Sequence, residues 1–199
     1  MRAKIASLFV AVAMNSSAVA EDGVEVRVVE NTPALHTIVG KHKVWATPAF
    51  DDYTDMFFDL CDAMDLKISD DCQIYPMNAE IGLNAIATEE EGNRLIIYDR
   101  RLSTEVGYTG AMMIIAHELG HHYCHHLGSA GSPGQELEAD RFAGAAMKKA
   151  GYKLDDALAA VDILAERKSR SHPARAERIA AITNGWDQPN VGKQCRQRP

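Results

Sequence analysis

The residues with the clearest chemical potential are two histidines four positions apart, His117 and His121, with Glu118 directly after the first. In a helix, side chains at i and i+4 lie one turn apart on the same side, so both imidazoles can bind one zinc ion. Glu118 would project beside them toward the open coordination position. The spacing predicts that zinc lowers the pKa of a bound water, Glu118 takes its proton, and the hydroxide attacks a polarised carbonyl.

The context of this H-E-x-x-H motif separates a zinc site from a loose, metal-scavenging surface. Residues 112–116 are apolar and predict a buried helix around the motif. Without a metal, burial of two histidines and a glutamate would leave unpaired polar groups, at about 1–3 kcal/mol each. The context therefore favours a zinc site, and the further histidines are interpreted as surface or supporting residues rather than ligands: His122, His125 and His126.

A catalytic zinc ion needs a third protein ligand and one open position. Glu136 and Asp140 follow a Gly/Ser/Pro-rich loop and lie at i and i+4, so they share a helix face, whereas Glu138 points about 200° away. This predicts Glu136 as the third ligand and Asp140 as the acceptor for the free ring nitrogen of a ligand histidine. The alternative is a solvated acidic helix start, favoured by the helix dipole.

The elements that must position these residues are predicted from periodicity and turn residues. Strands are predicted at residues 24–29 and 73–75, with a hairpin formed by 83–88 and 94–98 around a turn at 89–93. Helices are predicted at 51–64, 99–105, 109–127, 135–149, 155–167 and 173–183. In the first helix, the predicted apolar face comprises Phe50, Phe57, Leu60 and Met64. The result is an α+β fold in which a helical core packs beside a small antiparallel or mixed sheet.

Composition indicates one globular domain, residues 21–199, behind a removable signal peptide at residues 1–20. Arg2 and Lys4 precede an apolar run, and Ala18-Val19-Ala20 has the small-x-small pattern that signal peptidases cleave. Loss of those two cations takes the formal net charge from −7 to −9, which disfavours nucleic acid and anionic membranes as partners. No later stretch reaches the roughly 18–20 apolar residues of a membrane span, so no stable membrane insertion is expected.

Four cysteines lie in the predicted mature chain, and an exported protein most simply oxidises them to two disulfides. Of three possible pairings, we favour Cys61 with Cys72, which ties a helix to the next strand, and Cys124 with Cys195, which staples the C-terminal tail to the motif helix. The alternative is four buried free thiols. A cysteine-ligated zinc site is disfavoured because no CxxC spacing occurs.

Taken in order, these motifs resemble the HtpX and CAAX prenyl protease family of metallopeptidases over about residues 80–180. The resemblance implies a gluzincin-type core with one zinc ion per chain on His117, His121 and Glu136, and with Glu118 as the catalytic base. The segments that carry it are H-E-L-G-H, E-x-E-A-D-R-F-A from Glu136, S-H-P from Ser171, E-R-I from Glu177, and L-N-A-I-A from Leu83.

The resemblance also implies two roles outside the metal ligands. The edge strand Asn84, Ala85, Ile86 and Ala87 would receive an extended peptide by β-augmentation, the alternative being an ordinary hairpin strand. His172 would reach the zinc cleft, either stabilising the oxyanion or closing the open metal position, with Arg178 orienting it. An incidental surface histidine is the alternative for His172.

These features together predict an exported, periplasmic zinc metallopeptidase that acts on extended protein or peptide substrates, in envelope protein quality control. Many relatives carry transmembrane helices or repeat modules for docking, and neither is visible here, so membrane substrates and a regulatory partner are not implied. One rival is a zinc-binding chaperone or adaptor that rarely cleaves. Another is a zinc amidase or other non-peptide hydrolase, which the edge strand disfavours.

Overall fold

The computed structural model describes residues 18–19, 25–26, 35–39, 42–127, 131–163, 169 and 172–196. The chain divides into two units, residues 1–32 and 33–199. In the first unit, strands β1 (Ala18–Val19) and β2 (Glu25–Val26) pair antiparallel. The remainder of the predicted strand at 24–29, and most of the predicted signal peptide at 1–20, lie outside the described residues.

The second unit contains a mixed five-stranded sheet in the order β3-β4-β5-β7-β6. Only β5 and β7 run parallel; the other neighbours are antiparallel. The α+β prediction is therefore confirmed, although the sequence interpretation assigned no strand to residues 35–48. The strands are β3 (Leu35–Val39), β4 (His42–Pro48), β5 (Ile74–Ala79), β6 (Ala85–Glu90) and β7 (Asn93–Asp99).

The predicted hairpin forms with a tighter turn than expected, since only Glu91 and Gly92 separate β6 from β7. Both residues have positive φ, 50° and 80°, as two-residue turns that match strand twist require. The predicted five-residue turn at 89–93 is therefore too long. Residues 89 and 90 belong to β6, and residue 93 belongs to β7. Among the strands that the structure describes, β6 pairs with β7 alone, so it forms one edge of this sheet.

Helix α1 (Asp51–Ala63) packs its apolar face into the core. Phe50, which the sequence placed on that face, is half exposed because it caps the helix instead. Its backbone N–H donates to the Tyr98 hydroxyl at 2.9 Å. The buried side chains of α1 are Tyr53, Met56, Phe57, Leu60 and Cys61.

Helix α2 (Leu102–Tyr123) combines the two helices predicted at 99–105 and 109–127, with a break at Gly107, where φ is 73°. Its end at Tyr123 is four residues earlier than predicted. His125 adopts a positive φ of 55°, which a continuing helix does not allow.

The C-terminal third is helical but more broken than the sequence suggested. Helix α3 (Pro133–Lys149) begins with a capping box between Ser132 and Gln135, and α5 (Arg175–Asp187) runs beyond its predicted end. The helix predicted at 155–167 forms only over its first residues, and the prediction is wrong for residues 158–163. After the short α4 (Leu154–Ala157), backbone hydrogen bonds between residues three apart lead into a 3-10 turn at Val161–Ile163. Residues 164–168 lie outside the described chain.

Two disulfides connect these elements, and they are the two pairs that the sequence favoured. Cys61 and Cys72 are bonded at 2.07 Å, and Cys124 and Cys195 at 1.98 Å. Among the residues that the structure describes, no helix combines the length and apolar character needed to span a bilayer.

Candidate metal centre

Helix α2 carries the histidine pair into the interior because the turns around the motif are apolar. Met112, Met113, Ile115 and Ala116 are buried against the core, as is Leu119 within the motif. A helix that is apolar on most sides is fully packed rather than half solvated. The polar side chains of the motif are therefore held in a low-dielectric environment, where they need fixed partners.

Three side chains from α2 and α3 converge on one point. His117 Nε2 lies 3.0 Å from His121 Nε2, and each of these nitrogens lies 3.5 Å from an oxygen of Glu136. The ligand atoms of all three residues lie within 4.8 Å of one another. Two imidazole nitrogens and one carboxylate form the donor set of a catalytic zinc site, so the residues present fit this metal.

Asp140, one turn after Glu136, fixes the other ring nitrogen of His117. Its Oδ1 lies 2.9 Å from His117 Nδ1, and its side chain is fully buried. Arg178 of α5 donates two hydrogen bonds to the same carboxylate, from Nε to Oδ2 at 2.8 Å and from Nη2 to Oδ1 at 2.7 Å. In the neutral ring, which is the form that binds a metal, the proton of His117 lies on Nδ1 toward Asp140, and Nε2 keeps the lone pair that faces the cluster.

The charges in the cluster form a coupled set. Burial lowers the pKa of His117, but hydrogen bonds to Asp140 and Glu136 outweigh it and raise the pKa to about 9. Burial raises the pKa of Glu136, yet its bond to His117 brings the pKa down to about 2. Burial and the neighbouring His117 charge hold the pKa of His121 well below its usual value. His121 is therefore a neutral imidazole, the form that binds metals.

Glu118 lies beside the cluster and is held by the sheet edge. Its Oε2 accepts a hydrogen bond from the Ala87 N–H at 2.6 Å. Burial raises the pKa of Glu118 above its usual value. A carboxylate whose pKa moves toward neutrality is a more effective proton acceptor at physiological pH.

A cleft of about 520 Å³ opens over the cluster, with β6 along one wall. Ala85, Ile86 and Ala87 belong to this edge strand, and Asn84 precedes it with its carbonyl bonded to the Asp99 N–H. Since Ala87 directs its N–H away from β7 and Ala85 shares that orientation, their backbone groups face the cleft. Further lining comes from Met113, Ile114, Ala160, Ile163, His172 and Arg178.

His172 lies in the cleft wall, as the sequence proposed, and its side chain is exposed. Its backbone N–H donates to the Ser169 hydroxyl at 3.0 Å, just before α5. Arg178, expected to orient His172, instead binds Asp140. The neighbouring Ser171 lies outside the described residues.

The remaining histidines of the motif helix differ from one another. His122 is buried, which excludes the surface position that the sequence left open, and its Nε2 lies 2.8 Å from the Leu95 carbonyl of β7. His125 is exposed. His126 is buried with its Nδ1 3.0 Å from His121 Nδ1, and Glu138 lies behind it. The sequence interpretation missed this last arrangement, because it depends on the turn after α2.

Residues 129–185 match the family model of peptidase family M48. This match supports the M48 metallopeptidase family. The matched segment includes Glu136, Asp140, His172 and Arg178, but it begins after the H-E-L-G-H motif and does not contain it. An M48 metallopeptidase uses a metal cofactor, which agrees with the cluster of His117, His121 and Glu136. None of the curated proteins and none of the solved structures compared with the chain matches it.

Proposed function

We propose that this protein is a zinc-dependent endopeptidase with His117, His121 and Glu136 as metal ligands and Glu118 as general base. The observation that carries the proposal is the convergence of the three ligand side chains at a cleft that also contains Glu118 and the edge strand β6. The M48 match, over a segment that includes Glu136 but neither histidine of the cluster, also supports metallopeptidase chemistry.

Each residue of the site has a defined task in peptide hydrolysis. A bound zinc ion would acidify a water molecule and polarise the scissile carbonyl. Glu118 accepts the proton of the attacking water and transfers it to the leaving amine, a role suited to its raised pKa. The Ala87 N–H donates to Glu118 Oε2 and so fixes this side chain at the wall of the cleft. Asp140 and Arg178 keep His117 in the ligating tautomer.

The substrate class follows from the cleft wall. An extended peptide can add a strand beside β6 by donating to the outward carbonyls of Ala85 and Ala87. The N–H groups of these two residues already donate to Asn84 Oδ1 and Glu118 Oε2. Helices and folded surfaces do not present a matching line of backbone N–H groups, because their own backbones use them. The apolar lining at Met113, Ile114 and Ile163 favours substrates with an apolar side chain next to the cleaved bond.

We further propose an HtpX-like or CAAX prenyl protease-like enzyme that acts in the periplasm on extended segments of misfolded envelope proteins. The apolar run and Ala18-Val19-Ala20 support export. Two disulfides support an oxidising compartment. His172 has an oxyanion-stabilising role in this proposal, because its exposed side chain lines the same cleft as the three proposed ligands.

Cleavage of an unfolded protein such as casein tests the function, with zinc-loaded wild type beside Glu118→Gln. Glutamine keeps the size of the side chain but cannot accept the proton, so we expect cleavage to fall about 10²–10⁴-fold while bound zinc, measured in the same samples, stays at one per chain. Equal cleavage by both proteins would refute the role of Glu118. Zinc binding without cleavage in the wild type would favour a chaperone or adaptor.

A further inference from the structure

A second line of buried side chains runs behind the metal ligand His121. His121 Nδ1 lies 3.0 Å from His126 Nδ1, and His126 Nε2 lies 3.2 Å from Glu138 Oε2. Glu138 is 3% exposed, although it points away from the ligand cluster. Three polar side chains thus form one continuous path from the metal site to the far side of α3.

The chemistry of the three groups allows one arrangement of protons when both rings are neutral. The Glu138 carboxylate can only accept, so His126 must carry its proton on Nε2. That leaves Nδ1 of His126 without a proton, and it accepts from Nδ1–H of His121. His121 then presents a bare Nε2 to the ligand cluster, which is the tautomer that binds a metal.

Glu138 is itself fixed by the C-terminal tail. The Arg196 backbone N–H donates to Glu138 Oε2 at 3.3 Å, and Arg196 Nε lies 3.4 Å from Oε1. The Arg196 side chain is exposed, so its ion pair contributes little, and the backbone bond is the more durable contact. The neighbouring Cys195 is joined to Cys124 at the end of α2, which places the tail beside Glu138.

We propose that His126 and Glu138 are positioning residues for the metal ligand His121, and that the disulfide-linked tail holds Glu138 for this task. The inference rests on the proposed metal site. His117 is held directly by Asp140, whereas His121 is held by Glu138 through an intervening imidazole. Each zinc-binding histidine therefore has its own buried carboxylate, and each carboxylate has its own arginine partner.

Zinc affinity, measured by competition with a chromogenic chelator, tests the proposal without relying on peptidase activity. We expect His126→Asn to weaken zinc binding about 10–100-fold, as loss of the partner of a ligand histidine typically does. His125→Asn is the matched control, because His125 is the exposed neighbour and asparagine tolerates its positive φ. This control should bind zinc as the wild type does.

Two substitutions at Glu138 separate hydrogen bonding from packing. Glu138→Gln keeps an acceptor oxygen for His126, whereas Glu138→Leu fills the same space without one. We expect zinc affinity to fall in the order wild type, Gln, Leu, while thermal unfolding of the metal-free proteins confirms that each variant is folded. Equal affinities for the wild type and both folded variants would overturn the proposal.

The imidazole nitrogen signals in a ¹⁵N NMR spectrum of the zinc-loaded protein report the tautomer of each histidine. These signals would not change if Glu138 only filled space in the fold. We expect His126 to carry its proton on Nε2, and we expect Glu138→Leu to redistribute that proton between the two nitrogens. We call the hydrogen-bonded series His121–His126–Glu138 the relay from His121. A proton on Nδ1 of His126 in the wild type would overturn it. A wild type that binds no zinc would refute the proposed function itself, whereas unaltered variants beside a zinc-binding wild type would refute only this inference.

Discussion

At the scale of single residues, the site depends on which ring nitrogen of each histidine carries the proton. Asp140 accepts a hydrogen bond from Nδ1 of His117 and so fixes its tautomer, and Arg178 holds the Asp140 carboxylate in place. The Arg178–Asp140 pair is buried and bidentate, so loss of either partner would leave an uncompensated charge in the interior. In the proposed site we therefore expect both residues to be needed for metal binding, although neither is one of the three proposed ligands.

Replacement of His172 separates its two proposed roles in the cleft, which are to stabilise the oxyanion or to close the open metal position. If its ring stabilises the developing oxyanion, His172→Ala should lower kcat about 10²-fold or more, because one preformed donor is lost, with zinc affinity unchanged. Steady-state kinetics on a fluorogenic peptide, together with chelator competition, provide both values. A rise in kcat would instead identify His172 as a residue that closes the metal position.

The convergence of Glu136 and Asp140 on the histidine pair was predictable from the sequence, because helical geometry separates these two residues from Glu138. The relay from His121 was not predictable. It requires the chain to leave the helix after Tyr123 so that His126 turns back onto His121. The spacing of residues in the sequence predicts which side chains share a face of one helix. It does not predict which side chain from a following turn will contact that face.

At the scale of elements, the site requires α3 and α5 to lie in unusually close contact. A Cβ atom on Gly144 would lie 2.0 Å from the Ile182 carbonyl oxygen, and one on Gly185 would lie 2.0 Å from that of Arg141. The two glycines thus let the helix backbones touch. This approach brings Arg178 of α5 onto Asp140 of α3.

Gly144→Ala tests this contact. The added methyl group meets a backbone carbonyl that cannot turn away, so we expect the free energy of unfolding to fall by about 1–3 kcal/mol or more. Urea denaturation measures the change. Gly134→Ala on the same helix is the control, since its nearest new neighbour would be 3.6 Å away, an ordinary contact. Equal stability of Gly144→Ala and the control would contradict the close packing.

Elements with strong periodicity or clear turn residues were predictable, and those whose form depends on tertiary packing were not. The hairpin β6–β7 and the helices α1, α2 and α3 follow their sequence patterns closely. The helix expected at 155–167 breaks after Ala157. Ala157 and Ala160 are both buried there, and tight three-residue bonds replace the helical ones. Small alanines carry no periodic signal that could have marked this break.

At the scale of the whole molecule, two disulfides close loops of very different length. Cys61 and Cys72 are 11 residues apart, whereas Cys124 and Cys195 are 71 residues apart and join the motif helix to the C-terminal tail. A cross-link over a longer loop removes more conformational freedom from the unfolded chain. The second disulfide is therefore the larger stabiliser in the chain-entropy account.

Paired serine variants test this ranking. Cys124→Ser with Cys195→Ser should lower the free energy of unfolding by about 1–2 kcal/mol more than Cys61→Ser with Cys72→Ser, on loop length alone. Chemical denaturation of the two double variants beside the wild type provides the comparison. A larger loss from the shorter loop would mean that local packing, rather than loop closure, governs the effect of these cross-links.

The central claim is that His117, His121 and Glu136 hold a zinc ion at the head of the cleft. Anomalous diffraction on both sides of the zinc absorption edge, from crystals with one zinc per chain, tests it most directly. We predict a single strong peak about 2.0–2.2 Å from His117 Nε2, His121 Nε2 and a Glu136 oxygen. A peak elsewhere, with no density between these three side chains, would contradict the account.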